Sequence, residues 1–431
     1  MKIKKILRLI FILLSVSCVF LLVTKYGYYY EKKNYAKIIL IVVLFLFISL
    51  GACSLRLTKF SFVSLIYIVL SLYTLNFLFL MVDLYKDKNK FKNTFINKDK
   101  IDNRSLIEFV NNENYNENKI LPYIVPREYL GKNNYEEIPL TPLSNTYFAK
   151  CNEYGVWKTF KTDKFGFNNI KFKKTFNVLL MGDSFAEGDC VDDRFEISNY
   201  FTNNYKLPTY NIGVAGNGPL LSLAQAHEIK KYVNFDTIVW LIYDNDFYDL
   251  KLELKSKYLT NYLNKDFIDN RYFERLNKFE IFQTKFINDN IKNYKTGFSF
   301  KENFFELKSL ISIMNKILNR NNQYAHDNFL NKEFKKIFNK LEYIYPDKNI
   351  YIVYLPETSC FNHRKKDCYE KFNILQNMSK NIKFLNFYEY LNSIEENYKN
   401  FYALGKKKSH YSPKGYKYLS KFIFENITSD L

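Results

Sequence analysis

The chain has 431 residues, 47% of them hydrophobic, and a formal net charge of +19. That length holds about two or three domains, and the apolar content is enough for a buried core. The surplus lysines are spread along the chain rather than gathered into a stripe. No zinc-finger or RNA-binding signature accompanies them, so charge alone does not make this a nucleic-acid protein.

Read from the N-terminus, three apolar runs come first: Leu9–Val23, Ile38–Ala52 and Phe60–Val82. A spanning helix needs roughly 17–25 mostly apolar residues. The third run reaches that alone and the first two reach it with flanking residues. The expectation is a membrane domain of about three transmembrane helices over residues 1–83. Lys2, Lys4, Lys5 and Arg8 precede the first run and no small-residue cleavage site follows it, which favours a signal anchor over a cleaved peptide. "LGAC" at Leu50–Cys53 resembles a lipoprotein box, but it lies far into the chain and an apolar run follows it. Residues 84–150, rich in Asn, Lys and Glu and carrying "IPLTPL" at Ile138–Leu143, read as a polar stalk or linker.

The compact domain is expected over residues 151–431. Phe176–Met181, Thr209–Gly213, Thr237–Tyr243, Ile350–Leu355 and Ile382–Phe387 are short, near-continuous apolar runs. Pro219–Tyr232 and Pro413–Asn426 have helical patterns. Apolar strands separated by helices predict a parallel sheet covered on both faces, with about five strands in a three-layer α/β domain. A polar-aromatic stretch at about 250–345 exceeds an ordinary crossover and reads as a helical insertion.

In an open α/β sheet, functional groups gather beyond the carboxyl ends of strands. The first strand ends in "MGDSFAEGD", with Asp183 and Ser184; the second in "NIGVAGNGP", with Gly216; the third in "IYDNDFYD", with Asn245 and Asp246. The last helix begins just after His410, in "KKKSHYSPKGY". A serine hydroxyl is a weak nucleophile until a base takes its proton, and an imidazole suits that transfer near neutrality. The N–H groups of Ser184 and Gly216 and the Asn245 amide would stabilise the oxyanion. Asp183 and Asp246 are expected to support their own turns by accepting backbone hydrogen bonds. Ser412 and Pro413 suit the N-cap and first position of the last helix, which fixes the loop holding His410.

These residues resemble the SGNH (GDSL-type) hydrolases. "GDSFAEG" looks like the first block, "GVAGNGP" the glycine block, "YDND" the asparagine block and "HYSPKGY" the histidine block; "TDKFGFN" (Thr162–Asn168) is similar to the lead-in of membrane-linked members. The similarity covers roughly Thr162 to Glu425. It implies a flavodoxin-like α/β/α fold, ester hydrolysis or acyl transfer, and no metal or organic cofactor. It also implies that Ser184 is the nucleophile, His410 the base, and Gly216 and Asn245 oxyanion-hole donors. There are two departures. The family has a glycine at the position of Tyr243 or of Asp244, depending on the subgroup. Lys407 and Lys408 stand where it has an aspartate ahead of the histidine. His410 is therefore expected to be oriented by a backbone carbonyl or by a carboxylate from elsewhere.

Four cysteines follow the apolar runs. Cys360 with Cys368, and Cys151 with Cys190, suit two disulfides in an oxidising compartment; the alternative is four free thiols. His227, His326 and His363 read as surface positions, and Lys406–Lys408 as a solvated loop or an anion attractor. The expected protein is a membrane-anchored serine esterase outside the cytoplasm, acting on an O-acyl, chiefly O-acetyl, ester of a surface glycan or glycolipid. The alternatives are an O-acyltransferase working with a membrane acyltransferase partner, and a degenerate domain used for glycan binding. No nucleic-acid partner is expected.

Overall fold

A computed structural model describes residues 70–82, 101–113, 119–130, 137–267, 271–294, 307, 309–311, 313, 328–362, 364–405 and 409–428. The chain divides into two compact units. One holds Met1–Lys88 and Phe298–Asn322, and the other Asn89–Gly297 and Gln323–Leu431.

In the first unit residues 70–82 are helical. Asn76 is buried there, and its Oδ1 accepts the Leu310 N–H at 3.0 Å. No helix among the described residues is long and apolar enough to cross a membrane. This overturns the expected three transmembrane helices. Leu9–Val23 and Ile38–Ala52 lie outside the described residues, and so does the first part of Phe60–Val82.

The second unit is built on a five-stranded sheet: β4 (Val178–Met181), β5 (Thr209–Asn211), β6 (Thr237–Ile242), β7 (Asn349–Tyr354) and β8 (Lys383–Asn386). The order is β5-β4-β6-β7-β8 and every pairing is parallel. The sheet is buried on both sides because successive side chains point to opposite faces. On β6, Ile238, Trp240 and Ile242 pack with the helices Pro219–Ile229 and Asn328–Ile344. Val239 and Leu241 pack on the other face with Ile197, Phe201, Leu419 and Ile423. The result is a three-layer α/β/α sandwich whose strand order is flavodoxin-like. Its topological switch point lies where β4 meets β6, and the crevice at the strand carboxyl ends opens there.

Two expectations change. A second sheet joins β1 (Ile120–Pro122), β2 (Tyr147–Lys150) and β3 (Lys158–Lys161) within the supposed stalk and just beyond it. Leu121, Ile138, Leu140, Leu143 and Phe148 belong to the main core, so at least this part of residues 84–150 is not a polar stalk. "IPLTPL" is pinned in place: Gln225 Nε2 donates to Leu140 O at 2.6 Å and Gln283 Nε2 to Thr141 O at 2.7 Å. Within the supposed insertion, Asn328–Ile344 is the crossover helix between β6 and β7, with Phe338 set edge-on to Trp240. Leu276–Tyr294 supplies Gln283, which covers "IPLTPL".

Candidate active site

β4 runs into a tight turn. Gly182 has φ 143° and a Cβ there would lie 2.8 Å from Leu241 O, so the close approach of β4 to β6 requires glycine. Asp183 caps the short helix Ser184–Glu187, its Oδ1 accepting the Phe185 N–H at 2.9 Å. Ser184 is thereby placed at the first helical position, beyond the strand end.

His410 arrives from the far end of the chain. Its loop is fixed by a bridge between Tyr402 and Tyr411 and by Ala403 N–H donating to His410 O at 3.0 Å. Ser412 Oγ accepts the Gly415 N–H at 3.1 Å and donates to Asn400 O at 2.6 Å, seating the helix Pro413–Thr428. The consequence is a hydrogen bond of 2.8 Å between His410 Nε2 and Ser184 Oγ.

The other ring nitrogen faces Glu153. Its Oε1 lies 3.2 Å from His410 Nδ1, and its Oε2 accepts the His410 backbone N–H at 2.9 Å. One carboxylate therefore clamps both the ring and the backbone of the histidine. Glu153 sits in the turn between β2 and β3, outside the α/β/α sandwich. The disulfide Cys151–Cys190 ties that turn to the chain just past Ser184–Glu187, and a second disulfide joins Cys360 to Cys368. His410 and Glu153 keep side-chain exposures of 23% and 19%, so the site is open to solvent.

Charge surrounds this pair. Lys150, 5% exposed at the end of β2, meets Glu187 Oε2 at 2.7 Å and Asp189 Oδ1 at 2.5 Å. Burial pushes Asp189 up, but Lys150 and His410 outweigh it and hold the carboxyl below the usual range. Asp189 Oδ2 lies 3.9 Å from His410 Nε2. For His410, burial pulls the imidazolium down; the bond to Glu153 and the charges of Asp189, Glu153 and Asp183 override it and raise the pKa to about 9.

The glycine loop is aimed by Glu187, whose Oε2 accepts the Ala215 N–H at 3.0 Å. Gly216 has φ 73°, where a side chain is strained. Among the described residues neither the Ser184 nor the Gly216 N–H makes a hydrogen bond. Asn245, after β6, is placed differently from a free donor: its Nδ2 donates to Asp249 Oδ2 at 2.8 Å and to Asp183 Oδ2 at 3.3 Å. Asp246 accepts the Tyr243 N–H at 2.7 Å and is buried, which raises its pKa well above the usual range. Tyr243 packs against Phe185 with ring centroids 4.5 Å apart, and Phe185 against His410 at 5.2 Å. Asp244 turns away, to Lys371 at 2.6 Å and Arg364 at 3.4 Å.

The structure thus brings His410 to Ser184 and Asn245 to Asp183, with Asp246 in the turn after β6, while Gly216 lies in the loop after β5 that Glu187 holds. The lead-in "TDKFGFN" lies behind them as a buried turn, with Asp163 accepting from Phe165 N, Phe167 N and Tyr210 Oη. His227 is largely covered, packed on Tyr262 and Phe267, rather than a surface position. His326, His363 and Lys406–Lys408 lie outside the described residues. Glu153, Lys150, Glu187 and Asp189 were missed by sequence reasoning. A signal existed for Glu153: it lies two residues after Cys151, and Cys190 lies six after Ser184, so pairing the cysteines carries the carboxylate to the serine. Arg127 was also missed. Its guanidinium meets Asp249 at 2.7 Å and its side chain runs past Gly216.

No protein-family model and no curated protein sequence matches the chain. Two solved structures are similar at low level. A Streptococcus pneumonia protein proposed as a platelet activating factor is 14% identical with a TM-score of 0.32, covering 60% of this chain and 86% of its own. A family 3 carbohydrate esterase from Clostridium thermocellum is 12% identical with a TM-score of 0.31, covering 58% and 94%. Overlaps of this size fix neither fold nor activity, so the functional reading rests on side-chain geometry.

Proposed function

We propose that the chain is a serine esterase that hydrolyses a short O-acyl ester, in the first instance acetyl, on a carbohydrate. The observation that carries this reading is the line Ser184 Oγ–His410 Nε2, with Glu153 at His410 Nδ1. Ser184 Oγ attacks the acyl carbonyl while Nε2 takes its proton. Nδ1–H stays bonded to Glu153, which holds the tautomer and stabilises the imidazolium. The oxyanion is met by the Ser184 and Gly216 N–H groups, joined by Asn245 when it releases its longer bond to Asp183. The proton on Nε2 then passes to the departing alcohol. Water, deprotonated by the same nitrogen, cleaves the acyl-serine to the free acid and regenerates Ser184.

The acyl class follows the resemblance of the sequence to the SGNH hydrolases. The carbohydrate half of the reading follows the resemblance of the four sequence blocks. Two disulfides favour a location outside the cytoplasm. A degenerate binding domain is motivated by the missing aspartate, and Glu153 supplies a carboxylate in its place. The test is a fluorophosphonate probe together with p-nitrophenyl acetate. Wild type is expected to be labelled and to turn over the ester, and Ser184→Ala to do neither. An unlabelled wild type that releases no nitrophenol removes the reading.

A further inference from the structure

Two sulfur atoms lie beside the base and take no part in the steps above. Cys190 Sγ is 3.2 Å from His410 Nδ1, the ring nitrogen that also faces Glu153 Oε1 at 3.2 Å. One ligand atom each from Cys151, Glu153, Cys190 and His410 all fall within 4.8 Å of one another, the sole such His/Cys/acid group among the described residues. In the oxidised protein the two sulfurs are bonded to each other. Tetrahedral zinc, with bonds of about 2.3 Å to sulfur and ~2.0–2.2 Å to nitrogen and oxygen, spaces its ligands about 3.3–3.8 Å apart. His410 Nδ1 already stands near that spacing from both Glu153 Oε1 and Cys190 Sγ. The two sulfurs, bonded to each other, are closer than that spacing, and opening the disulfide lets them separate.

We infer that reduction of the Cys151–Cys190 bridge creates a site for a zinc-class divalent ion, with both cysteines, His410 and Glu153 as ligands, and that the ion disables His410 as a base. A dithiol reductant supplies two electrons and two protons, the S–S bond breaks, and the reductant leaves as its own disulfide. The incoming ion displaces both thiol protons to solvent and takes the Nδ1 lone pair in place of the hydrogen bond to Glu153. The proton that Nδ1 carried then resides on Nε2, which faces Ser184 Oγ as a donor and accepts nothing. Two thiolates, one imidazole and one carboxylate suit zinc better than calcium or magnesium, which prefer all-oxygen shells. The partial exposure of His410 and Glu153 gives reductant and ion a path in. Metal binding stands independently of the esterase reading; only the loss of base function rests on it.

The test uses the full chain, reduced anaerobically with a non-chelating phosphine and titrated with Co²⁺ as a spectroscopic stand-in for Zn²⁺. Reduced protein is expected to show thiolate-to-cobalt charge transfer and tetrahedral ligand-field bands saturating at one equivalent, and oxidised protein neither. Cys151→Ser and Cys190→Ser should each remove the one-equivalent site, and the Cys360→Ser/Cys368→Ser double variant should keep it. The inference is overturned if reduced wild type gives no charge-transfer band, or if the band survives both single variants and disappears in the double one. Fluorophosphonate labelling then separates the two readings. Oxidised protein should label, and zinc-loaded reduced protein should label about 100-fold or more slowly, the loss expected of a removed general base. Equal labelling of the two overturns the inactivation. Failure of the oxidised protein to label instead counts against the esterase reading and leaves the cobalt result intact.

Discussion

Glu153 touches His410 through both carboxylate oxygens, one on the ring and one on the backbone. Because it also helps to hold the imidazolium up to about 9, the base form of His410 dominates only above that pH. The rate of ester hydrolysis should therefore rise with pH along a limb centred near 9. Glu153→Gln keeps the shape and removes the charge. It should move the limb to lower pH and cut the rate on its plateau by about 10²–10⁴-fold. A pH–rate profile of both proteins checks this, and an unmoved limb would mean that Glu153 only packs. At this scale, Ser184, Gly216, Asn245 and His410 were legible because each lies in a local turn with its own residue chemistry. Glu153 was not, because its contact with His410 spans 257 positions and only the pairing of Cys151 with Cys190 points to it. The Asn245 amide, spent on Asp183 and Asp249, was equally invisible, since those bonds depend on how β4 and β6 end side by side.

At the scale of elements, the small β1–β3 sheet does what the α/β sandwich alone does not: it carries Lys150, Lys158 and Glu153 to the back of the site. Lys158 pairs with Glu196 and Lys150 with Glu187 and Asp189. Lys150→Ala leaves two buried carboxylates facing each other and should cost about 3–5 kcal/mol, read as a lower midpoint in denaturant unfolding. Gly213 marks where the loop after β5 presses on Ser184–Glu187, since a Cβ there would lie 2.6 Å from Ala186 Cβ and 2.7 Å from Glu187 N. Gly213→Ala should destabilise by about 1–3 kcal/mol and slow the esterase by shifting Gly216. The same unfolding curve and an ester assay check both effects. The five sheet strands were readable because continuous apolar runs are bounded by turn residues. β2 and β3 were not, because lysines at Lys150, Lys158 and Lys161 break the apolar pattern, and the Lys150 and Lys158 side chains are buried only by virtue of distant carboxylates.

For the whole molecule, the buried acids set an opposition between stability and activity. Burial raises Glu196 and Asp249 to about 7 and Glu253 to about 8, and His410 reaches about 9. Each of these folded values lies above its ordinary one, 4.5 for Glu, 3.8 for Asp and 6.5 for His. The folded state therefore binds protons more tightly, and the stability each contributes is present below its ordinary value and lost as pH rises through the folded one. Asp189, held low by Lys150, acts in the other sense and loses its contribution in acid. The melting temperature should thus fall steadily from pH about 5 to about 9 while the hydrolytic rate climbs, and thermal scans across that range check the trend. Activation of Ser184 by His410 is read out by mass spectrometry of the fluorophosphonate-treated chain. An adduct is expected on the Ser184 peptide, formed faster above pH about 9 than below and absent from His410→Ala. An adduct on another residue, or none at any pH, would contradict that activation.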